Sequence, residues 1–343
     1  MTHKPSVSGV RAPDATSQGA SIRLLEDMGE LVECEAIQRE VWGLEDRDIV
    51  PAAQFRAASH AGGHVVGAFV ADELVGFAYA FVAAPHGRGM AGIGLHSHMV
   101  AVRAGERAHG LGRSLKWFQR TWALERGFKW ITWTFDPLQA RNANLNLRHL
   151  GAVCNDYLVD FYGTMPGTLG GGQASDRLLA LWLLDAARVS RLAATFTAER
   201  VAARAAVVAR GGADDVSAAI PAGPRNSGPT SNPKESWLLS ADDVLGHAAA
   251  GATDLFETTA EKTRRMLTTV AADTANDPIR NMLRIAAPAE VNTLMSHQPD
   301  LANLWRLGIR AAMTLSLGAG FTVTGFDNGA YMLALSRKEE ADF

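Results

Sequence analysis

The sequence predicts a mixed α/β fold, a mostly antiparallel sheet flanked by helices, with a C-terminal α+β extension. Three observations predict it. Period-two apolar runs interleave with runs of helical period between residues 21 and 185. Two β-rich runs, His64 to Val70 and Leu74 to Ala83, flank an Asp72-Glu73 break and read as adjacent antiparallel strands. Composition then shifts to Ala, Arg and Val after Ala186, and strand-like runs return only past residue 236.

The elements follow in order. Ser21 to Glu26 is a short strand, and Met28 to Val41 places Leu31, Cys34, Ile37 and Val41 at helical spacing. A second short helix covers Pro51 to His60, before the two strands named above. Pro85 to Gly94 is a Gly-rich loop, because its backbone is too free for a regular element. His96 to Val102 reads as a central strand, with His96, His98, Val100 and Val102 on one face and Ser97, Met99 and Ala101 on the other. After a glycine-containing turn, Arg113 to Arg126 carries Leu115, Phe118, Trp122 and Leu124 for a packed helix that stops at Gly127. Lys129 to Phe135 is a strand by its aromatic and β-branched content, ended by Asp136-Pro137. A helix over Asn142 to Leu150 closes at Gly151, and Val153 to Tyr162 and Leu178 to Leu184 are strands around a loop at Thr164 to Ala174. The order is β-α-α-β-β-β-α-β-α-β-β.

The domain boundaries predicted are a flexible tail at 1–20, a first domain at 21–185, a helix and flexible linker at 186–235, and the extension at 236–343. In the extension, Trp237 to Leu239, Leu283 to Ala286, Phe321 to Phe326 and Tyr331 to Leu335 read as strands. Pro299 to Leu317 reads as an amphipathic helix.

Composition narrows the function. The 343 residues are 47% hydrophobic and 20% charged, ordinary for a globular protein. With 33 Lys+Arg against 36 Asp+Glu, the net charge of −3 offers no general attraction to nucleic acid or anionic membrane, so any anion is held locally. Two cysteines, Cys34 and Cys154, make neither a disulfide framework nor a zinc site, and no metal is expected. The N-terminus lacks a signal-peptide core and no apolar run suggests a span, so a cytoplasmic protein is expected.

The local anion site is legible where a strand runs into Arg107-x-x-Gly110-x-Gly112 and then a helix. Such a turn aims unpaired backbone N–H groups and the positive end of the helix dipole outward, which suits a diphosphate. The Gly-Lys-Ser/Thr of a Mg-nucleotide loop is missing.

The run from Val102 to Gly112, with its helix, aromatic strand and second helix ending in Leu150-Gly151, resembles the coenzyme A-binding core of the Gcn5-related N-acetyltransferase (GNAT) superfamily. The resemblance covers about residues 21 to 185. It implies that the turn holds the CoA pyrophosphate and that the strand before it splays from the next to admit the pantetheine arm. The cofactor-binding candidates are Val100, Val102, Arg107, Ala108, His109, Gly110, Leu111, Gly112 and Arg113, with Asn142 and Asn144 for the pantetheine amides. Arg113 and Lys116 are candidates to approach the phosphates, with an exposed helix charge as the alternative, and for the asparagines the alternative is a helix cap.

A narrower likeness lies in Leu95-His96-Ser97-His98-Met99, Gly110 to Arg120, Trp133 to Leu138, Asn142-Ala143 and Asn146-Leu147-x-x-Leu150-Gly151-Ala152. These strings resemble a bacterial GNAT subgroup associated with N-acylamino acid racemases, some members being amino acid N-succinyltransferases. The subgroup also has a C-terminal segment like Leu304-Trp305-Arg306 through Gly320 to Thr324. The expectation is an acyl-CoA-dependent N-acyltransferase, using acetyl-CoA or succinyl-CoA, that acts on the amine of a small molecule such as an amino acid. A homodimer is one expected assembly. The alternatives are an acetyltransferase for other small amines or antibiotics and a non-catalytic CoA-binding module.

Acyl transfer to an amine needs a base, a donor for the thioester carbonyl and an acid for the leaving thiolate. His98, with His96, is the base candidate, since imidazole changes charge near neutrality; a structural role at a strand end is the alternative. The resemblance puts a tyrosine acid where this chain has Leu147, leaving Tyr157 and Tyr162 as substitutes for it; the alternatives are that both are half-buried strand residues and that the thiolate leaves into solvent. Arg88 and His86 are candidates for a substrate carboxylate, with solvated loop charge as the favoured alternative, and Asp136 reads as a turn residue.

Overall fold

The computed structural model describes residues 20–163, 173–209, 236–252, 254–272 and 282–335. The expected N-terminal tail, most of the 164–174 loop and the expected linker lie outside these residues. The first part runs β1 (Ser21–Leu24), α1 (Met28–Trp42), α2 (Ala52–His60), β2 (His64–Val70), β3 (Glu73–Ala83) and β4 (Gly94–Val102). A 3₁₀ turn at Ala104–His109 leads to α3 (Leu111–Glu125), β5 (Trp130–Phe135), a short α4 (Ala140–Ala143), β6 (Val153–Leu158), β7 (Arg177–Leu183) and α5 (Ala187–Ala209). The extension adds β8 (Ser236–Leu239), α6 (Ala241–Ala250), α7 (Leu255–Ala272), β9 (Leu283–Ala286), α8 (Val291–His297), α9 (Pro299–Gly318), β10 (Phe321–Asp327) and β11 (Ala330–Leu335).

Local chemistry sets several of these boundaries. Asp27 caps α1 by accepting from the backbone N–H of Gly29 at 2.7 Å, and Gly43 ends the helix in the left-handed region. Ser240 and Asp243 form a reciprocal capping box on α6. That box was legible in the sequence, yet α6, α7 and α8 were not anticipated there. The helix expected over Asn142 to Leu150 divides instead into α4 and a π-helical turn at Asn144–His149.

The strands make one sheet in the order β1-β2-β3-β4-β5-β7-β6-β10-β11-β9-β8. Pairing is antiparallel except for β4 with β5 and β8 with β9. The extension thus continues the first sheet through β6 and β10. One face carries α3 and α9 over a core that includes Leu95, Trp117, Ile131, Trp133, Trp182 and Ile309. On the other, α1 and α2 cover Leu31, Ile37, Phe55, Phe77 and Tyr79. Both cysteines are buried and unpaired, and burial pushes both thiols well above the usual thiol range.

Little backbone pairing joins β6 to β10, where Val323 stands opposite Cys154. Side chains make up the difference. Arg306, 2% exposed, reaches from α9 to Asp136 after β5 with two bonds of 3.1 and 3.0 Å. Arg310 donates twice to the fully buried Asp176, each at 2.8 Å. Tyr331 donates to the carbonyl of Pro137 at 2.6 Å. Asp136 does make the expected turn, by accepting from the N–H of Leu138, but it is also half of a buried ion pair.

Candidate active site

The site is built around an irregularity in β4. Against β3, Met99 stands opposite Tyr79 and Ser97 opposite Ala80, so His98 is the extra residue of a β-bulge. The bulge breaks the alternation expected from the sequence. Ser97 and Val100 face α3, whereas Met99 packs with the core beneath α1 and α2. Val102 also joins the α3-side core, with Leu111 and Leu115. His96 and His98 therefore do not share a face with Val100 and Val102, because one inserted residue shifts the register of every side chain after it.

Beside this bulge the sheet opens. β4 and β5 pair in parallel only at Leu95 with Ile131 and His96 with Thr132. Beyond that point β4 continues to Val102 and β5 to Phe135 without pairing to each other. The facing edges carry backbone donors and acceptors, to which an extended ligand with amide groups could add as a strand does.

At the lower end, Gly94 sits so close to Trp130 that a Cβ would lie 2.3 Å from the indole, and the Trp130 N–H donates to the carbonyl of Ala91 at 3.0 Å. This contact pins the start of β4 and the Pro85 to Gly94 loop. The upper end is the anion-ready turn. Gly110 adopts φ +67°, a conformation that costs an L-residue about 1–2 kcal/mol, and it opens α3 with no side-chain cap. The first N–H groups of α3, from Leu111, Gly112 and Arg113, have no acceptor within the helix.

The side chains of the turn are distributed less simply. Arg107 donates to the carbonyl of Val102 at 3.1 Å, closing the turn on the strand. Ala108 lies within the 3₁₀ turn. His109 bonds Glu106 at 2.7 Å. Leu111 is buried in the core, so only its backbone is available to a ligand. Arg113 is turned to α5, where it pairs with Glu199 at 3.0 Å and covers the Phe196 ring. Its expected place over the phosphates is thus replaced by a contact that seats α5. Asn142 is exposed on α4 and Asn144 half-buried at the start of the π-turn.

On the α2 side, His98 joins Val50, Gln54, Ala57, Ala58, Ala61, Tyr79, Phe81 and Val82 around an open cavity of about 480 Å³. Its ring meets Tyr79 edge-on at 6.0 Å and Phe81 at 5.9 Å. These walls desolvate the charged imidazole and lower its pKa, so the neutral form that accepts a proton prevails at neutral pH. His96 is less available. Its Nδ1 bonds Thr132 at 3.0 Å, and burial brings its pKa to about 4. The cavity residues Gln54, Tyr79 and Phe81 were missed in the sequence, where they look like ordinary helix and strand positions.

Tyr157 does not reach this site. It lies on β6, separated from β4 by β5 and β7, and packs on the α3 face of the sheet. Its hydroxyl donates to Asp176 at 2.6 Å, and burial beside that carboxylate pushes its pKa well up. Tyr157 thus belongs to the Asp176–Arg310 cluster, a correction to its expected role as an acid. Tyr162 is closer to β5, bonded to Thr134 at 2.9 Å. Leu147 is fully buried in the core.

Lys116 is the residue the sequence most misrepresents. Expected at the phosphates or in solvent, it is 4% exposed under β4, donating to Ser97 Oγ at 2.8 Å and lying 3.7 Å over the Trp133 ring. Ser97 in turn donates to Gln119 at 3.0 Å. Burial lowers the Lys116 pKa well below the ordinary lysine value.

Residues 25–152 match the family model described as Acetyltransferase (GNAT) family. The match covers less than half of the chain and supports an acyl-CoA-dependent N-acyltransferase; the open β4–β5 junction, the glycine turn and the α3 N-terminus all lie within the matched residues. Solved structures similar to the chain include the ribosomal-protein-S18-alanine N-acetyltransferase from Escherichia coli, at 16% identity over 49% of this chain and 96% of that one, with a TM-score of 0.39. An N-acetyltransferase from Staphylococcus aureus Mu50 is similar at 13% identity over 48% and 99% of the two chains, with a TM-score of 0.39. The ribosomal-protein-alanine N-acetyltransferase from Brucella melitensis is similar at 20% identity over 47% and 98%, with a TM-score of 0.37. No curated protein matches the chain. Among the described residues, no helix is long and apolar enough to cross a membrane.

Proposed function

We propose that the matched segment moves an acetyl or succinyl group from coenzyme A to the amine of a small molecule, an amino acid, by direct attack on the thioester. The observation that carries this reading is the position of His98. It stands at the bulge where β4 leaves β5, and it also walls the α2-side cavity. An acyl-CoA whose diphosphate meets the N–H groups of Leu111, Gly112 and Arg113 lays its arm between β4 and β5. A strand rise of about 3.3 Å per residue puts His98 about 13 Å from Val102, a span suited to an extended arm. The thioester then lies beside an amine held in the cavity, and His98 takes the ammonium proton directly or through water.

The acceptor's chemistry follows from the cavity walls, which are apolar apart from Gln54, the Tyr79 hydroxyl and His98. They suit an aliphatic or aromatic side chain. Arg88, the expected ligand for a substrate carboxylate, donates at 3.5 Å to the carbonyl of Asn155 on β6 and does not line the cavity, so the acceptor's carboxylate is not assigned to it. The strings shared with the racemase-associated subgroup support the same acceptor class and supply the reason to include succinyl-CoA.

Mass spectrometry of incubations with acetyl-CoA or succinyl-CoA and an amino acid panel tests the reading. The expected product is an N-acyl amino acid, formed fastest with apolar side chains. Tight CoA binding without product on any amine would instead identify a binding module, and products only from non-amino-acid amines would refute the acceptor class.

A further inference from the structure

Lys116 occupies a place that its role in the core does not explain. A fully buried ammonium is costly unless paired with a carboxylate, yet its neighbours here are a hydroxyl and an indole face. Its position is specific. The last β4–β5 pair is His96 with Thr132. Ser97 and Trp133 are the next residues on the two strands, and Lys116 touches both. Its Nζ therefore lies at the apex of the opening, on the α3 side, while His98 lies one residue further along on the cavity side.

We propose that Lys116 is the acid for the departing thiolate, filling on α3 the role that Tyr157, engaged by Asp176, does not fill. The inference rests on the acyl-CoA reading above, in which the thioester sits beside the bulge. The atoms balance as follows. The acceptor ammonium gives one proton to His98. Its nitrogen attacks the acyl carbon, the new C–N bond forms, and the nitrogen releases a second proton to solvent. The C–S bond breaks with its electron pair on sulfur, and the sulfur takes a proton from the Lys116 ammonium to leave as CoA thiol. Lys116 regains a proton from water after CoA departs, so one proton is released per amide formed.

The surroundings favour this use. A desolvated ammonium gives up its proton more readily than a solvated one and gains most from a new anion beside it. Two other titratable groups face the amine. His64 on β2 is 1% exposed, and burial with nearby positive charge brings its pKa to about 3. His96 on β4 has a pKa of about 4. Both are neutral above pH 5, and the other positive charge near His64, Arg126, lies over the Trp122 ring. The hydroxyl of Ser97 and the Trp133 face hold the amine without neutralising it.

The test titrates the thiol of bound CoA by its thiolate absorbance near 240 nm, in saturating wild-type protein and in Lys116→Met, with CoA affinity measured alongside. An ammonium within contact of the sulfur lowers the thiol pKa by about one to three units, so the bound thiol is expected to ionise below free CoA in the wild type. In Lys116→Met the value is expected to return to that of free CoA, with affinity kept within a few fold. A wild-type thiol that titrates like free CoA overturns the proposal without any variant. So does an equal shift in both proteins. If Lys116→Met does not fold, Lys116→Gln serves in its place. If the wild type binds no CoA, the acyltransferase reading itself fails, a result distinct from binding with an unshifted thiol.

Discussion

Two junctions in the same sheet are weakly laddered, and they have opposite fates. Between β4 and β5 two residue pairs meet and the strands then part; between β6 and β10, Val323 opposite Cys154 is the register contact. The second junction is closed by side chains, with Asp136–Arg306 and Asp176–Arg310 as buried ion pairs and the Tyr331 hydroxyl on Pro137. No carboxylate or arginine crosses the first among the described contacts. It holds Lys116 at its apex and His98 at its bulge. A gap in a sheet is thus stable in two ways: clamped by charge pairs, or supported on one side by a helix and left open for a ligand.

Breaking the clamp is the largest expected effect. Asp136→Asn leaves the Arg306 guanidinium buried with its partner's charge lost, and stability in urea unfolding is expected to fall by about 3–5 kcal/mol. A loss below about 1 kcal/mol would mean that apolar packing of α9 holds the junction and the ion pair does not.

At the open junction the largest effect is expected on chemistry. His98→Gln should lower kcat/KM about 10²-fold while leaving the unfolding midpoint within experimental error. The pH profile sharpens this. Because the neutral imidazole is the active form and its pKa lies below the usual 6.5, wild-type activity should hold through neutrality and fall only as pH drops below that value. The acid limb should vanish in the variant. His96→Gln should have a smaller effect, less than about 10-fold, because its ring is already engaged by Thr132 and buried. Equal losses in the two variants would contradict the assignment of His98 alone to the cavity.

Much of this architecture was legible in the sequence. Periodicity located the strands and helices from β1 to β7 and the extension's strands, and Arg107 to Gly112 marked the anion-ready turn. What stayed hidden has specific causes. Strict alternation cannot announce a bulge, so Val100 and Val102 were expected on the histidine face. A lysine on a helix reads as solvated unless its face is known, and Lys116 falls on the buried one. The clamps pair Asp136 with Arg306 and Asp176 with Arg310 across 170 and 134 residues, a separation that no local pattern encodes. Tyr157 alternates like any strand residue, and only the fold shows its hydroxyl spent on Asp176.

The central claim is that the parted strands receive coenzyme A, and a crystal structure of the wild-type protein with CoA tests it most directly. The account predicts diphosphate oxygens within hydrogen-bond reach of the Leu111 to Arg113 amides and the pantetheine arm paired between β4 and β5, its sulfur close to both His98 and Lys116. Coenzyme bound elsewhere, or β4 and β5 zipped together with the turn empty, would contradict it.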